Sequence, residues 1–151
     1  RSKIACGLYY AMVDALIHSA GKSSLKNILQ TGIDKGLKFY GMNKDNYYEM
    51  IHFTRLFHLD ELQQTEERDM RSGGYVIETI EAAVWCLITT DSLKECLLKV
   101  VNMGHDTDTV AAVAGGLAGL YYGVDAIPKD WLDEIVQKEY IEDMCVKASL
   151  L

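Results

Sequence analysis

The sequence predicts an all-α fold, a multi-helix orthogonal bundle built as one unit. Two observations carry this reading. Apolar residues recur at three- and four-residue spacing along nearly the whole chain, and strand-like alternation is scarce. A third observation bounds it: 151 residues, 49% hydrophobic with a single proline, can bury a substantial core without disulfides or metals. No internal repeat or low-complexity linker divides the chain, so residues 1–151 read as one domain.

The first helix carries Ile4, Leu8, Met12, Ala15 and Leu16 on one stripe and is expected to close at Gly21. A second starts after Ser23 or Ser24 as N-cap, with Leu25, Ile28, Leu29, Ile33 and Leu37 along one face. Gly32 and Gly36 lie inside it, which lowers helix propensity unless a neighbour packs closely there. Asp45 or Asn46 is expected to cap a third stretch through Tyr47, Met50, Ile51 and Phe57. From Leu59 to Arg71 the pattern dissolves into polar and acidic residues and reads as a solvated surface loop. After Ser72-Gly73-Gly74 an amphipathic run follows with Val76, Ile77, Ile80, Val84 and Leu87. Glu78 and Glu81 read there as ordinary charge near a helix start. Ser92 with Glu95 is a capping-box pair opening a helix through Leu93, Leu97, Val100 and Val101, which Gly104 ends. A Gly/Ala-rich helix is expected from about Asp108 to Tyr122, and a last one from Pro128 to near Leu150, with Trp131, Leu132, Ile135 and Val136 as its apolar face.

Charge and cysteine usage exclude several classes. Fifteen basic residues against 22 acidic ones, a net charge of -7, argue against nucleic acid or an anionic membrane as partner. Cys6, Cys86, Cys96 and Cys145 show no C-x-x-C pair and no zinc-finger spacing, so buried free thiols in a reducing compartment are expected. The longest uncharged stretch, Val110 to Val124, is shorter than the ~20 residues a spanning helix needs. A cytoplasmic domain is the expectation.

The informative stretch is Asn102-Met103-Gly104-His105-Asp106-Thr107-Asp108-Thr109. Positions i and i+2 of a regular helix point apart, so a joint role for Asp106 and Asp108 requires a turn, which Gly104 can supply. From it two carboxylates and the Thr109 hydroxyl can converge on a hard cation, Mg²⁺, Mn²⁺ or Ca²⁺ rather than zinc. The competing reading is that Asp106 or Asp108 simply caps the next helix. Ala111, Gly115 and Gly119 fall at i, i+4, i+8 and leave one helical face almost bare, which suggests a helix buried at the centre of the domain. Acidic residues entering such a helix would need a compensating cation.

The run Gly104-His105-Asp106-Thr107-Asp108-Thr109, with the Gly/Ala helix and Tyr121-Tyr122-Gly123, resembles the C-terminal signature of the ADP-ribosylglycohydrolase family. Ser72-Gly73-Gly74-Tyr75 through Trp85 resembles a second block of that family, and Arg1 to Tyr10 a helix following its Thr-His segment. The resemblance implies an all-α hydrolase that binds two Mg²⁺ or Mn²⁺ ions and removes ADP-ribose from an acceptor. It implies Asp106, Asp108 and Thr109 as metal ligands. It places Ser72, Gly73, Gly74, Tyr75, Gly104 and His105 along the ADP-ribose cleft. There, the glycine turn would offer N–H groups to phosphate and Tyr75 a ring for stacking. Without the resemblance the same turn reads as a loop with a core tyrosine. His105 stands where a small residue is usual, and reads either as a substrate contact or as a cap on the preceding helix's carbonyls. His18, His52 and His58 read as surface or packing residues.

The family's Thr-Asp-Asp segment and its opening Gly-Asp segment are absent from these 151 residues. The chain is therefore expected to be the C-terminal part of the fold, with the catalytic acid outside it and a missing N-terminal half or a second chain as partner. The alternatives are a non-catalytic ADP-ribose-binding or crystallin-like member of the family and a plain helical assembly unit.

Overall fold

The structure is a computed structural model that describes residues 1–19 and 23–150. Among them the architecture is all-α and strand-free: α1 (Ser2–Ser19), α2 (Leu25–Gly41), α3 (Lys44–Tyr47), a 3₁₀ segment (Met50–Leu56), α4 (Leu59–Gln63), a 3₁₀ turn (Glu67–Asp69) and α5 (Val76–Ile88). Then come α6 (Leu93–Asn102), α7 (Thr107–Tyr122), a 3₁₀ turn (Val124–Ala126), α8 (Lys129–Asp133) and α9 (Lys138–Ala148). The expected stop of α1 at Gly21 lies outside the described residues. No helix among them is long and apolar enough to cross a membrane.

Several elements form as their residues dictate. Ser24 caps α2, its hydroxyl accepting from the Asn27 N–H at 3.4 Å. Ser92 caps α6 through the Glu95 N–H at 3.2 Å, and Glu95 reaches back to the Asp91 N–H at 3.1 Å, so the return bond falls one residue before the cap. The glycines of α2 serve close packing against α1. A Cβ at Gly32 would lie 2.6 Å from the Ala11 carbonyl oxygen and 2.8 Å from Met12 Cα.

Other expectations are corrected. Asn43, not Asp45 or Asn46, caps α3, accepting from the Asp45 N–H at 2.9 Å. The stretch after it tightens to 3₁₀ geometry, which turns Phe53 and Leu56 inward and leaves Ile51 exposed, and Tyr47 at the end of α3 is exposed as well. The Leu59 to Arg71 stretch is not a plain loop: α4 buries Leu59 and Leu62, and Met70 seals the core behind it. Five residues are too few for helical periodicity to register. The expected last helix is two, because Gln137 adopts a left-handed φ of 59° that breaks the chain between α8 and α9. Pro128 stands at the N-cap rather than inside the helix, and Val136 is exposed. Cys86 and Cys96 are buried as expected, whereas Cys6 and Cys145 are exposed, and all four are free.

The centre of the bundle is α5, not α7. From Thr79 to Ile88 every α5 residue is buried, and α1, α6 and α7 pack around it. Only part of α7 is buried (Val110, Ala114, Leu117 and Ala118), and nothing lies within 4 Å of a Cβ at Gly119. Of the two glycines on the bare face predicted for α7, Gly115 thus meets Leu97 and Gly119 meets nothing, and the close approach is elsewhere, Gly116 against the Tyr9 hydroxyl.

One charged side chain lies in the wall of this core. Glu81 is 8% exposed. Burial pushes its carboxyl up to about 7, with Arg55 opposing the shift and Glu78 adding to it. Because the folded value exceeds the ordinary 4.5, the folded state holds the proton longer, and stability falls as pH climbs from about 4.5 to about 7.

Two predictions follow from this packing. Gly32→Ala should destabilise by about 1–3 kcal/mol despite its better helix propensity, whereas Gly119→Ala should be neutral or stabilise by up to about 1 kcal/mol, both read by urea denaturation. Glu81→Gln should melt a few degrees higher than the parent at pH 8 and equally at pH 4, removing the slope between them.

Candidate functional site

The site is built where α6 hands over to α7. Gly104 (φ 76°) and His105 (φ 63°) are consecutive left-handed residues, and together they reverse the chain after α6. Glycine adopts this conformation freely; a histidine there is strained. Asp106 then stands at the N-cap position of α7, with its carbonyl accepting from the Val110 N–H at 3.2 Å. Its side chain makes no capping hydrogen bond. Instead the carboxylate accepts from the Thr109 hydroxyl at 2.9 Å.

The Ser72–Tyr75 segment docks onto this reversal. The Asp106 N–H donates to the Ser72 carbonyl at 3.0 Å, and the Ser72 hydroxyl donates to the Gly104 carbonyl at 3.0 Å. A Cβ at Gly74 would lie 2.8 Å from Asp106 Oδ2, so glycine there leaves the space the carboxylate uses. Ser72 is buried at 2% exposure and is committed to the reversal, while Gly74 and Tyr75 face solvent. Two motifs 32 residues apart in sequence thus form one surface.

Below the turn, the buried Thr79 hydroxyl is placed 3.2 Å from both the Gly73 and the Tyr75 carbonyls. Glu78 lies against Gly73, where a Cβ would come within 2.6 Å of Oε2, and faces Arg71 at 3.5 Å. The Tyr75 hydroxyl accepts from Arg1 Nη1 at 3.2 Å. No side chain caps the N-terminus of α5, so its first N–H groups stay open beside the glycine turn.

Asp108 and Thr109 are exposed and Asp106 is half-buried. The expectation that buried acids here demand a compensating cation is therefore corrected: α7 enters the bundle from its surface. His105 is exposed, makes no hydrogen bond to a described residue, and lines a small cavity with Glu67, Arg68, Met70 and Met103 rather than capping α6. His18 contacts Asp14, and His52 faces Glu49 at 3.9 Å.

The donors on this turn are all oxygens, the type a hard cation takes, with the Asp106 carboxylate held against Thr109 and beside Gly74. They amount to two carboxylates and a hydroxyl. Among the described residues no group of three or more His, Cys, Asp or Glu is placed to hold a metal.

Beyond the turn lies a polar cavity of about 920 Å³ between the 3₁₀ segment Met50–Leu56, residues 64–71 and the first turns of α5. Tyr75, Glu78 and Glu81 are part of its wall. Sequence reasoning missed Thr79, and it took Glu78 and Glu81 as ordinary charge near a helix start; the signal for Glu78 and Thr79 was their place in the first turn of α5, next to the segment they support.

The chain is 43% identical over 89 residues to ADP-ribosylarginine hydrolase Tri1 of Serratia proteamaculans, covering 59% of this chain and 24% of that protein. It is 37% identical over 89 residues to the ADP-ribosyl-[dinitrogen reductase] glycohydrolase of Rhodospirillum rubrum, covering 59% and 28%. Against human ADP-ribosylhydrolase ARH3 the identity is 31% over 87 residues, covering 48% and 24%. The matched part of the chain spans about a quarter of the length of these relatives. The ADP-ribosylglycohydrolase family profile matches residues 1–151. With that match along its whole length, this all-α chain belongs to the ADP-ribosylglycohydrolase family.

Proposed function

We propose that the chain is part of a cation-dependent hydrolase that removes ADP-ribose from an acceptor. In this reading Asp106, Asp108 and Thr109 hold Mg²⁺ or Mn²⁺, and the Ser72–Tyr75 turn with Gly104 and His105 receives ADP-ribose. The observation that carries it is an aspartate at an N-cap position that does not cap, its carboxylate beside a glycine that leaves room for it. The names of the relatives, each a hydrolase of ADP-ribosylated material, support the reaction class.

Each element has a task set by its chemistry. Asp106 and Asp108 supply negative charge, and Thr109, hydrogen-bonded to Asp106, fixes the orientation of that carboxylate. Three oxygen donors are fewer than a hard cation takes, so donors from outside these residues would have to complete its shell. A bound cation supplies Lewis-acid stabilisation of the oxygens around the breaking glycosidic bond. The open N–H groups of the turn and of α5 suit the diphosphate, and the half-exposed Tyr75 ring suits stacking. Ser72 and Thr79 hold the turn in register through the Gly104 and Gly73 carbonyls.

Calorimetric titration with Mn²⁺ and then ADP-ribose tests the site. Asp106→Asn and Asp108→Asn should each weaken Mn²⁺ about tenfold or more, and Gly74→Ala should do the same with unchanged helix content, because its Cβ displaces the carboxylate. Unaltered affinity in all three contradicts the assignment. In the complete protein, release of ADP-ribose from ADP-ribosylated arginine should stop on chelation and fall about 100-fold or more in Asp106→Asn. Binding without turnover would contradict the hydrolase reading.

A further inference from the structure

Met103 stands between the core and the reversal. It is the C-cap residue of α6, directly before the left-handed pair Gly104 and His105. On its inner side Cys86 Sγ donates to its Sδ at 3.4 Å. Cys86 is fully buried, and burial pushes its thiol up to about 12, so it stays protonated and keeps this bond. On its outer side Met103 is half-buried and lines a cavity of about 370 Å³ with Glu67, Arg68, Met70 and His105. Met70, in the same wall, is buried and its sulfur accepts from Arg55 Nη1 at 3.5 Å. Met42, Met50 and Met144 reach solvent to differing extents on other parts of the chain.

A thioether in such a place has a defined reaction. Peroxide transfers one oxygen to the sulfur lone pair: the O–O bond breaks, an S–O bond forms, the sulfur loses two electrons and the peroxide leaves as water. The product is a strong acceptor on a side chain that was apolar. Its oxygen has no room beside Cys86, in a close-packed interior. On the cavity side it meets two donors. Arg68 pairs with Glu66 at 2.9 Å through one nitrogen and keeps further N–H groups, and the exposed His105 makes no hydrogen bond to a described residue. Glu67, also in the wall, is an acceptor itself and repels the oxygen.

We propose that Met103 is a reversible oxidation site through which peroxide loosens the Gly104–Asp106 reversal. Oxidation exchanges an inward contact with Cys86 for an outward one with Arg68 and His105. His105 already holds a strained φ of 63°, so drawing its side chain toward the sulfoxide shifts the backbone on either side of it. The Gly104 carbonyl, which accepts from the Ser72 hydroxyl, and the Asp106 N–H, which donates to the Ser72 carbonyl, move with it. Reductases return methionine sulfoxide to the thioether, which makes the change reversible. The loss of cation affinity that follows rests on the cation reading of Asp106, whereas the oxidation and the shift of the reversal do not.

The test is mild hydrogen peroxide treatment of the nitrogen-15-labelled chain, followed by peptide mass spectrometry and the amide spectrum. Met103 should gain one oxygen at least fivefold faster than Met70, its neighbour in the wall. The amides of Ser72 and Gly104–Asp106 should shift in step with that gain, and methionine sulfoxide reductase should reverse both. Mn²⁺ affinity of the same samples should fall at least threefold on oxidation. Met103→Leu, which conserves volume and keeps the fold, should abolish the shifts while Met42 and Met144 still oxidise. Met103 oxidising no faster than Met70, amides that stay in place once Met103 is oxidised, or the same shifts in Met103→Leu each overturn the proposal. So does Mn²⁺ binding whose affinity oxidation leaves unchanged. Shifts in a chain that binds no Mn²⁺ before or after oxidation support the oxidation site and contradict the cation reading.

Discussion

Two hydrogen bonds join the Ser72–Tyr75 turn to the Gly104–Asp106 reversal, from the Asp106 N–H to the Ser72 carbonyl and from the Ser72 hydroxyl to the Gly104 carbonyl. Everything the site can do depends on this junction. It holds the start of α7 against the start of α5, so two helix N-termini and their open N–H groups open onto one surface. It also fixes the carboxylate of Asp106 over Gly74, where any larger residue would collide. Buried polar contacts of this kind gain little stability individually, but leaving them unmade would cost more. Their importance lies in register: slide one turn past the other and Gly74 no longer stands beside the Asp106 carboxylate.

The helices behind the junction explain why it can be held so firmly. α5 runs through the core with nearly all its residues buried, and α1, α6 and α7 pack on it, so both turns are anchored to one rigid rod. Close glycine contacts between α1 and α2, and Gly116 on Tyr9, draw the outer helices inward. The cost of a buried helix is paid at Glu81, whose carboxyl is pushed up to about 7 by burial. That side chain stands in the wall of a polar cavity at the edge of the core.

Much of this was legible in the sequence, and the parts that were not have physical reasons. Helical periodicity located the long helices, and Ser24, Ser92 and Gly104 mark boundaries where their chemistry requires them. α4 escaped notice because five residues barely make a turn, and the break before α9 because Gln137 carries no propensity for the left-handed conformation it adopts. Poverty of side chains on α7 looked like centrality, whereas the apolar bulk of α5 fills the core. The acidic turn and the glycine turn were each visible as motifs. Their contact was not, since 32 residues separate Ser72 from Gly104 and only the bundle brings them together. Glu81 read as ordinary charge near a helix start because acidic residues are usual in a first turn and seldom buried.

The most direct test of the account is Mn²⁺-induced broadening in the amide spectrum of the labelled chain. The account predicts that substoichiometric Mn²⁺ broadens Ser72–Tyr75 and Gly104–Thr109 together, and that Asp106→Asn removes both effects at once. Broadening confined to one of the two segments, or spread over the acidic surface around Glu61–Asp69, would contradict a single site built by the junction.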